Sequence, residues 1–175
     1  MFSDFVANMA LYEVGILEGK WLVLPCDTDK LEMALCEIGV DKPYKEYFIY
    51  QCSSHLQCFT DVVNECSSII NLNVLADRLT HLTDEEQEKL EALHEAKEFS
   101  MPVQVLKASY ELSSWMVYPA IHEYDELGKL YFEKKGAVEI PEKILSYFDF
   151  FKFGKEVVRN SLFSRFTSYG FVVRE

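Results

Sequence analysis

Glycine is scarce in this 175-residue chain, and its scarcity excludes several enzyme classes. None of the 7 glycines forms the glycine-rich loop that cradles a phosphate or a dinucleotide. The nucleophile motif G-x-S-x-G and the zinc-protease motif H-E-x-x-H are absent. His81, His94 and His122 are dispersed and do not neighbour a serine or cysteine in a nucleophile pattern. We therefore expect a protein that works by binding and is not an enzyme.

Long apolar runs and a basic N-terminal segment are missing as well. Residues 1–13, MFSDFVANMALYE, contain no basic residue and no apolar run as long as a signal peptide or a membrane span. We expect a soluble, cytoplasmic protein that does not associate with membranes. An odd number of cysteines without a secretory signal indicates reduced thiols at Cys26, Cys36, Cys52, Cys58 and Cys66.

Paired C-x2-C knuckles are absent, so the best candidate for a metal site is irregular. Thiolates and an imidazole are good zinc ligands, and a tetrahedral site would take Cys52, His55, Cys58 and Cys66. The alternative is that the cysteines pack as small apolar side chains in a strand and a helix. We expect no metal and keep the zinc site as the alternative.

Basic side chains are also in short supply. The chain has 17 Lys and Arg against 29 Asp and Glu, a net charge of −12. Residues 1–60 have a net charge of −5, residues 61–107 of −6, and residues 108–175 of only −1. A surface of this charge repels nucleic acid and attracts basic clefts. We therefore expect a protein partner with a basic cleft and no direct binding to nucleic acid.

The pattern of apolar residues predicts an α+β protein made of three small consecutive domains. The first domain, residues 1–60, has a β-β-α-β pattern. Its strands are predicted at Asp4–Tyr12, Trp21–Leu24 and Glu46–Cys52, with a helix from Asp29 to a stop at Gly39. The second domain, residues 61–107, contains no strand signal and is predicted to be a small helical bundle.

The third domain, residues 108–175, has an α+β pattern. A strand is predicted at Ser113–Tyr118 and a helix at Tyr124–Lys135 with a stop at Gly136. A second helix is predicted to open at Pro141 and to end at Gly154, and two strands to flank Thr167–Gly170. No repeat or low-complexity linker separates the three domains.

Two short helices joined at Leu82–Thr83 dominate the second domain, and the second of them is acidic. Thr83 and Glu86 form a capping-box pattern at its start. Spacings of 4, 3, 4 and 3 place five carboxylates on one face: Asp84, Glu88, Glu91, Glu95 and Glu98. They give one negative charge per ~5 Å, against one phosphate per ~3.4 Å of a DNA strand. The alternative is an ordinary solvated helix face, on which Lys89 and Lys97 offset part of the negative charge.

Aromatic residues are concentrated near the C-terminal end, at Tyr147, Phe148, Phe150, Phe151 and Phe153. A nucleic-acid stacking platform needs rings beside basic charge, and Lys143, Lys152 and Lys155 are nearby. Core packing or an oligomer interface is favoured over that function. A homodimer would then use Phe148, Phe150, Phe151 and Phe153 and would leave the acidic domains facing outward.

Three collinear blocks give the chain a resemblance to a known family. The first is VANMALYEVGILEGKWLVLP, with Ala7, Asn8, Tyr12, Gly15, Gly19, Trp21 and Pro25 at the family positions, and the second is EYFI at Glu46–Ile49. The third is ELGKLYFEKKGAVEIPEKILSYFDFFKFGKEV, which matches at Gly136, Pro141, Tyr147, Asp149 and Gly154. With the closing Tyr169-Gly170-Phe171, this order resembles the ArdA antirestriction proteins of conjugative elements and phages.

The resemblance implies three small domains in an elongated, curved molecule that dimerises through its C-terminal domain. It also implies an inhibitor that mimics bent B-form DNA and needs no cofactor. Such an inhibitor occupies the DNA-binding groove of the specificity and methyltransferase core of type I restriction–modification enzymes. Incoming DNA of a mobile genetic element then escapes cleavage.

On this hypothesis, carboxylates of the first two domains stand in for phosphates. The candidates are Asp27, Asp29, Glu32, Glu37, Asp41, Glu46, Asp84, Glu85, Glu88, Glu91, Glu95 and Glu98. The chain departs from the family pattern at Gln51 and Ser53, where acidic residues are usual, and in the tail arginines Arg159, Arg165 and Arg174. The alternative function is an acidic interaction or scaffold protein of the same fold that binds another basic partner without inhibiting restriction.

Overall fold

The computed structural model of the chain contains helices and two small antiparallel sheets, which confirms the predicted α+β class. It describes residues 1–40, 46–135, 142–145 and 147–174. Close contacts divide the chain into unit 1, made of Met1–Gln87 and Phe99–Tyr110, and unit 2, made of Glu88–Glu98 and Glu111–Glu175. The division into three domains at 1–60, 61–107 and 108–175 stays a prediction.

The sheet of unit 1 has three antiparallel strands in the order β2-β1-β3. They are β1 (Phe2–Asn8), β2 (Gly19–Leu24) and β3 (Tyr47–Ser54). Phe2, Asp4 and Val6 alternate along the central strand and are all buried, as expected for residues on one face of a strand. The core of unit 1 therefore lies on that face of the sheet.

The first strand is shorter than the sequence predicts. The prediction of a strand over Asp4–Tyr12 is wrong beyond Asn8, where the chain turns into helix α1 (Met9–Glu13). The side chain of Asn8 accepts a hydrogen bond from the amide of Leu11 at 3.1 Å and caps the helix. A capping asparagine thus ends the strand before the alternating pattern does.

Helices make up most of the rest of unit 1. They are α2 (Thr28–Glu37), α3 (Gln57–Thr60), α4 (Ile69–Thr80), the first residues of α5 (Asp84–Lys97), and α6 (Pro102–Tyr110). The predicted junction at Leu82–Thr83 and the opening of a helix at Pro102 are confirmed. Gly39 follows α2 with φ of +74°, a left-handed conformation that suits its predicted role as a stop.

Unit 2 combines the remainder of α5 with a second sheet in the order β4-β6-β5. Its strands are β4 (Trp115–Tyr118), β5 (Ser164–Thr167) and β6 (Gly170–Arg174), and its further helices are α7 (Tyr124–Lys135), α8 (Glu142–Leu145) and α9 (Phe150–Asn160). Leu127, Phe171 and Val173 are buried together at the centre of this unit. The predicted strands around Thr167–Gly170 are confirmed.

Gly154 has a different role from the predicted one. It was expected to end a helix that opens at Pro141, but it lies inside α9, which begins after Asp149. A Cβ atom at Gly154 would overlap the carbonyl oxygen of Tyr124, and one at Gly128 would overlap the carbonyl oxygen of Phe150. The two glycines therefore let α7 and α9 approach at backbone distance. The predicted boundaries Gly136 and Pro141 lie outside the described residues.

Within the described residues, no helix combines the length and the apolar character that crossing a bilayer requires.

Gly154→Ala should lower the free energy of unfolding by about 1–3 kcal/mol, because the new methyl group must push α9 away from α7. The urea midpoint followed by circular dichroism measures this change. Lys152→Ala, at an exposed position of the same helix, should change the free energy by less than about 0.5 kcal/mol. Equal midpoints for Gly154→Ala and the wild type would contradict the close-packing role.

Candidate acidic binding surface

The net negative charge is concentrated in unit 1. By sequence, unit 1 holds 15 acidic and 6 basic side chains, whereas unit 2 holds 14 and 11. The net charges are therefore −9 and −3. An acidic surface that attracts a basic cleft is accordingly to be sought first on the helices of unit 1.

Helix α2 carries the first group of predicted phosphate-mimic carboxylates. Its apolar residue Leu31 faces the core, so that Asp29 and Glu32 face solvent. Asp27, just before the helix, is also exposed, and its carboxylate lies 3.9 Å from Nζ of Lys30. In the described part of the chain, Asp29 and Glu32 form no ion pair. Their charge is available to a partner.

The other three candidates of this region differ in availability. Glu37 is exposed but pairs with Lys20, which neutralises part of its charge. Glu46 is exposed at the residue before β3. Asp41 lies outside the described residues. Of the first six candidates, Asp29, Glu32 and Glu46 are thus exposed and form no ion pair within the described residues.

Helix α5 begins as its sequence predicts. The amide of Thr83 donates to the Glu86 carboxylate at 2.9 Å, and the amide of Glu86 donates to the Thr83 hydroxyl at 3.3 Å, which confirms the capping box. Asp84 and Glu85 follow in the first turn, where the helix dipole favours negative charge. Both are exposed, as is Glu88 one turn later. None of these three forms an ion pair within the described residues.

The prediction that five carboxylates form one exposed row along α5 is wrong at Glu91. The Glu91 side chain is only 7% exposed, so it cannot stand in for a surface phosphate. The spacing does place the five residues on one helical face, but in unit 2 that face packs against protein. Spacing predicts which residues share a face; it does not predict what covers the face.

Contacts of Glu95 and Glu98 show what lies against this face. Glu95 accepts hydrogen bonds from the amide of Ser168 at 2.8 Å and from its hydroxyl at 2.5 Å. Glu98 forms an ion pair of 2.8 Å with Arg165, whose guanidinium also donates to the carbonyl of Ala96 at 2.9 Å. Both carboxylates are exposed, yet each already binds the β5–β6 hairpin. Both carboxylates are therefore already engaged by partners within unit 2, which leaves less of their charge for another protein.

The tail arginines, a departure from the family pattern, are used within unit 2 as well. Besides Arg165, Arg174 lies over the ring of Trp115 at 5.5 Å, and Arg159 lies 3.6 Å from the carboxylate of Glu156. The ion pairs of Arg159 and Arg165 offset part of the positive charge that the tail presents to a partner, and the contact with Trp115 orders Arg174.

Asp4 is an acidic residue that cannot contribute to a binding surface. Its carboxylate is completely buried on the central strand, and no N–H or O–H group of the described residues bonds to it. Burial raises the pKa of Asp4 to about 6, and the Cys52 thiol, opposite Asp4 on the neighbouring strand, offsets only part of this rise. Burial and the neighbouring Asp4 also raise the pKa of the Cys52 thiol. Sequence patterning gave no sign of a buried carboxylate here.

The alternative zinc site is not assembled. Among the described residues, no group of three or more His, Cys, Asp and Glu side chains is placed to hold a metal ion. Cys58 is completely buried, whereas Cys66 is exposed. Nε2 of His55 lies 3.3 Å from the amide oxygen of Gln87, and Nδ1 lies 2.9 Å from the N-terminal amine. The four residues therefore do not converge on one site.

The predicted dimer-interface phenylalanines are brought together in unit 2. Phe148 lies 4.9 Å from Phe150 and 5.7 Å from Phe153, measured between ring centroids. Phe151 points elsewhere, is 50% exposed, and packs against Tyr124. Three of the four rings therefore pack within the unit, and Phe151 presents half of its surface to solvent.

Aromatic residues on the sheet of unit 1 and on the adjoining helix α1 were not predicted from the sequence to form a binding site, although Tyr12 and Trp21 were matched as family positions. Tyr12, Trp21 and Tyr50 are each exposed by 45–49%, and Phe5 joins Trp21 to Tyr50 through ring contacts. The alternation of apolar residues on both faces of β1 and β2 was the available signal. An aromatic residue on the face opposite the core is exposed unless another element covers it.

A family model described as antirestriction protein (ArdA) matches residues 5–173 of the 175-residue chain. The match covers most of both units and confirms the resemblance inferred from the three sequence blocks. Among curated proteins, no match to the chain is found.

Asp4→Asn should make the free energy of unfolding less dependent on pH. The folded state favours protonated Asp4 because its pKa is raised from 3.8 to about 6, so the wild type should lose stability as the pH rises through this range. The loss should reach about 2–3 kcal/mol above pH 6 and be absent in the variant.

Urea unfolding between pH 4 and pH 7.5 measures this difference, and the slopes are compared because the amide also alters local hydrogen bonding. Asp29→Asn, which removes one exposed carboxylate, is the matched control and should keep the wild-type slope. Parallel profiles for wild type and Asp4→Asn would show that Asp4 does not titrate as described.

Proposed function

Since the chain belongs to the ArdA family of antirestriction proteins, we propose that it acts as an acidic mimic of DNA. On this proposal it occupies the DNA-binding groove in the specificity and methyltransferase core of a type I restriction–modification enzyme. The enzyme can then no longer bind incoming mobile-element DNA. The protein acts by binding, without catalysis and without a cofactor.

One observation carries the proposal beyond family membership: exposed carboxylates without internal partners are clustered on two helices. They are Asp29 and Glu32 on α2, and Asp84, Glu85 and Glu88 on α5, none of which has an ion pair in the described part of the chain. Asp29 and Glu32 are separated by ~4.5 Å along the axis of α2, and a DNA strand has one phosphate per ~3.4 Å of its helix axis. Lys and Arg side chains that bind phosphates would meet a similar density of negative charge.

The energy of such binding has to come from many weak contacts. A single exposed ion pair contributes about 0.2–1 kcal/mol, because water and salt screen it. Several together give useful affinity and also accelerate association through the long-range field. Binding should therefore weaken steeply with ionic strength.

The contacts in unit 2 narrow the set of phosphate mimics that we propose. Glu91 is excluded by burial. Glu95 and Glu98 hold the β5–β6 hairpin, so replacing them would disturb packing as well as charge. The tests below use Asp27, Asp29 and Glu32 of the α2 region, and Asp84, Glu85 and Glu88 of α5.

A homodimer formed through unit 2 is part of the proposal. Phe151, Tyr147 and Leu162 are 50%, 88% and 90% exposed, which leaves large apolar side chains for a second copy to cover. The net charge of unit 2 is only −3, so two copies repel each other less there than through unit 1. Sedimentation velocity should show a dimer that Phe151→Ser weakens; a monomer at all concentrations would contradict this part.

Neutralising the proposed phosphate mimics should abolish inhibition of a type I enzyme. Asp27→Asn, Asp29→Asn and Glu32→Gln combined with Asp84→Asn, Glu85→Gln and Glu88→Gln remove six charges. Their combined loss should lower affinity for the methyltransferase core by roughly 100-fold or more, at ~0.5 kcal/mol each. Inhibition of DNA cleavage by the purified enzyme measures the effect.

A control variant separates charge position from total charge. Glu123→Gln, Glu133→Gln and Glu156→Gln remove three exposed charges from unit 2, and either half of the six-site variant removes three from the predicted set. Each half should weaken inhibition more than the control does. Full inhibition by the folded six-site variant would contradict phosphate mimicry and favour an acidic interaction protein with another basic partner.

A further inference from the structure

The outer face of the unit 1 sheet and the adjoining helix α1 carry a connected set of aromatic rings, here called the aromatic face: Phe5, Trp21 and Tyr50 on the strands and Tyr12 on α1. Ring centroids are 5.5 Å apart for Phe5 and Trp21, 5.9 Å for Phe5 and Tyr50, and 6.3 Å for Tyr12 and Tyr50. Phe5 lies in register with Trp21 across the β1–β2 pair. The rings therefore form one surface that runs across all three strands.

This surface is open to solvent. Trp21 is 45% exposed, Tyr50 49% and Tyr12 46%. Val23, on the same face of β2 as Trp21, is 53% exposed. A row of exposed rings and an exposed valine on a single sheet face is typical of a binding surface and not of a solvated one.

Several other exposed or partly exposed rings of the protein have one of its own cations over them. In unit 2, Lys134 lies 4.2 Å from the ring centre of Tyr118 and Lys155 lies 4.5 Å from that of Phe151. In unit 1, the guanidinium carbon of Arg78 lies 4.6 Å from the ring centre of Tyr110. Among the described residues, no Lys or Arg is placed in this way over the aromatic face.

The charge around the aromatic face favours a cation from outside. Glu18 and Glu46 are exposed, and their carbonyl oxygens accept bonds from the amides of Asn8 and Met9 at 2.9 Å. Both residues therefore lie at the end of β1 that leads to Tyr12. Unit 1 as a whole has a net charge of −9. Negative potential draws in a cation, and the ring faces then bind it.

We propose that the aromatic face binds arginine side chains of a protein partner by stacking their guanidinium groups on Trp21, Tyr50 and Tyr12. Guanidinium is the cation that stacks best on aromatic rings, because it is planar and less strongly hydrated than an ammonium group. The inference rests on the proposed function in one respect: the arginines are those of the DNA-binding surface of the restriction–modification enzyme. The carboxylates then take the place of phosphates, and the rings hold the arginines by their flat faces.

Two other occupants are less compatible with the same observations. A single-stranded nucleic acid stacks on such rings only where basic charge neutralises its phosphates, whereas unit 1 is strongly acidic. A second copy of this chain would bring a second net charge of −9 against the first if unit 1 met unit 1. An arginine side chain on a protein surface is complementary both to the aromatic rings and to the negative charge of unit 1.

The test compares octa-arginine and octa-lysine peptides, which have the same number of charges. The full-length protein should bind octa-arginine more tightly than octa-lysine. Trp21→Leu combined with Tyr50→Leu keeps apolar side chains on the sheet and should weaken octa-arginine binding roughly tenfold, with a much smaller effect on octa-lysine. Tyr110→Leu, an exposed ring of unit 1 that Arg78 already covers, is the matched control and should leave both affinities unchanged.

A measurement on the wild type keeps the test independent of how well the variants fold. The chain has two tryptophans, Trp21 and the buried Trp115, so an amide NMR spectrum contains two indole N–H signals. Octa-arginine should shift the signal of Trp21 and leave that of Trp115 in place. Saturation with the peptide without a shift of the Trp21 signal would overturn the proposal. So would a wild-type dimer that Trp21→Leu dissociates, because a second copy would then cover the face.

Failure of this inference and failure of the proposed function are distinguishable. If the folded Trp21→Leu and Tyr50→Leu variant inhibits a type I enzyme as strongly as the wild type, the aromatic face does not contact the enzyme and the inference is overturned. Phosphate mimicry stands in that case. If the wild type binds octa-arginine through Trp21 but does not inhibit the enzyme, the arginine-binding face stands and the proposed target is wrong.

Discussion

The contact between helix α5 and the β5–β6 hairpin determines which carboxylates of this acidic protein remain available to a partner. Glu95 binds the amide and hydroxyl of Ser168, and Glu98 pairs with Arg165. Glu91, on the same helical face, is buried. The helix therefore serves two purposes along its length: Asp84, Glu85 and Glu88 face solvent, and the later carboxylates hold unit 2 together. Only the exposed carboxylates at the start of the helix are therefore free to act as phosphate mimics.

The two units also differ in whether the protein's own cations lie over their aromatic rings. In unit 2, lysine and arginine side chains of the protein lie over Trp115, Tyr118 and Phe151. Unit 1 has fewer cations, and its exposed rings at Trp21 and Tyr50 stand beside an excess of negative charge. Acidic helices and uncovered rings are both complementary to arginine, which is common wherever proteins bind DNA. A partner that recognises DNA with arginines would therefore find two kinds of contact in unit 1.

Much of the fold follows from local sequence signals, and the departures have physical causes. The capping box at Thr83 and the proline at Pro102 mark helix starts that the structure confirms, because such signals act within one turn of the chain. Gly154 resembles a helix stop but permits a close helix crossing, which depends on Tyr124, 30 residues away in the sequence. Burial of Asp4 and Glu91 depends in the same way on tertiary neighbours that no spacing reveals. Of the candidate site, the helices were predictable and the availability of each charge was not.

The most direct test of the account is competition between this protein and DNA for one binding groove. The purified methyltransferase core of a type I enzyme is bound to a labelled DNA duplex containing its recognition site, and the full-length protein is titrated in at about 50 mM and about 200 mM salt. The account predicts complete displacement of the DNA. Affinity measured for the protein alone, without DNA, should also fall at the higher salt, because exposed carboxylates supply the attraction. A ternary complex in which DNA and protein bind the core together would contradict DNA mimicry.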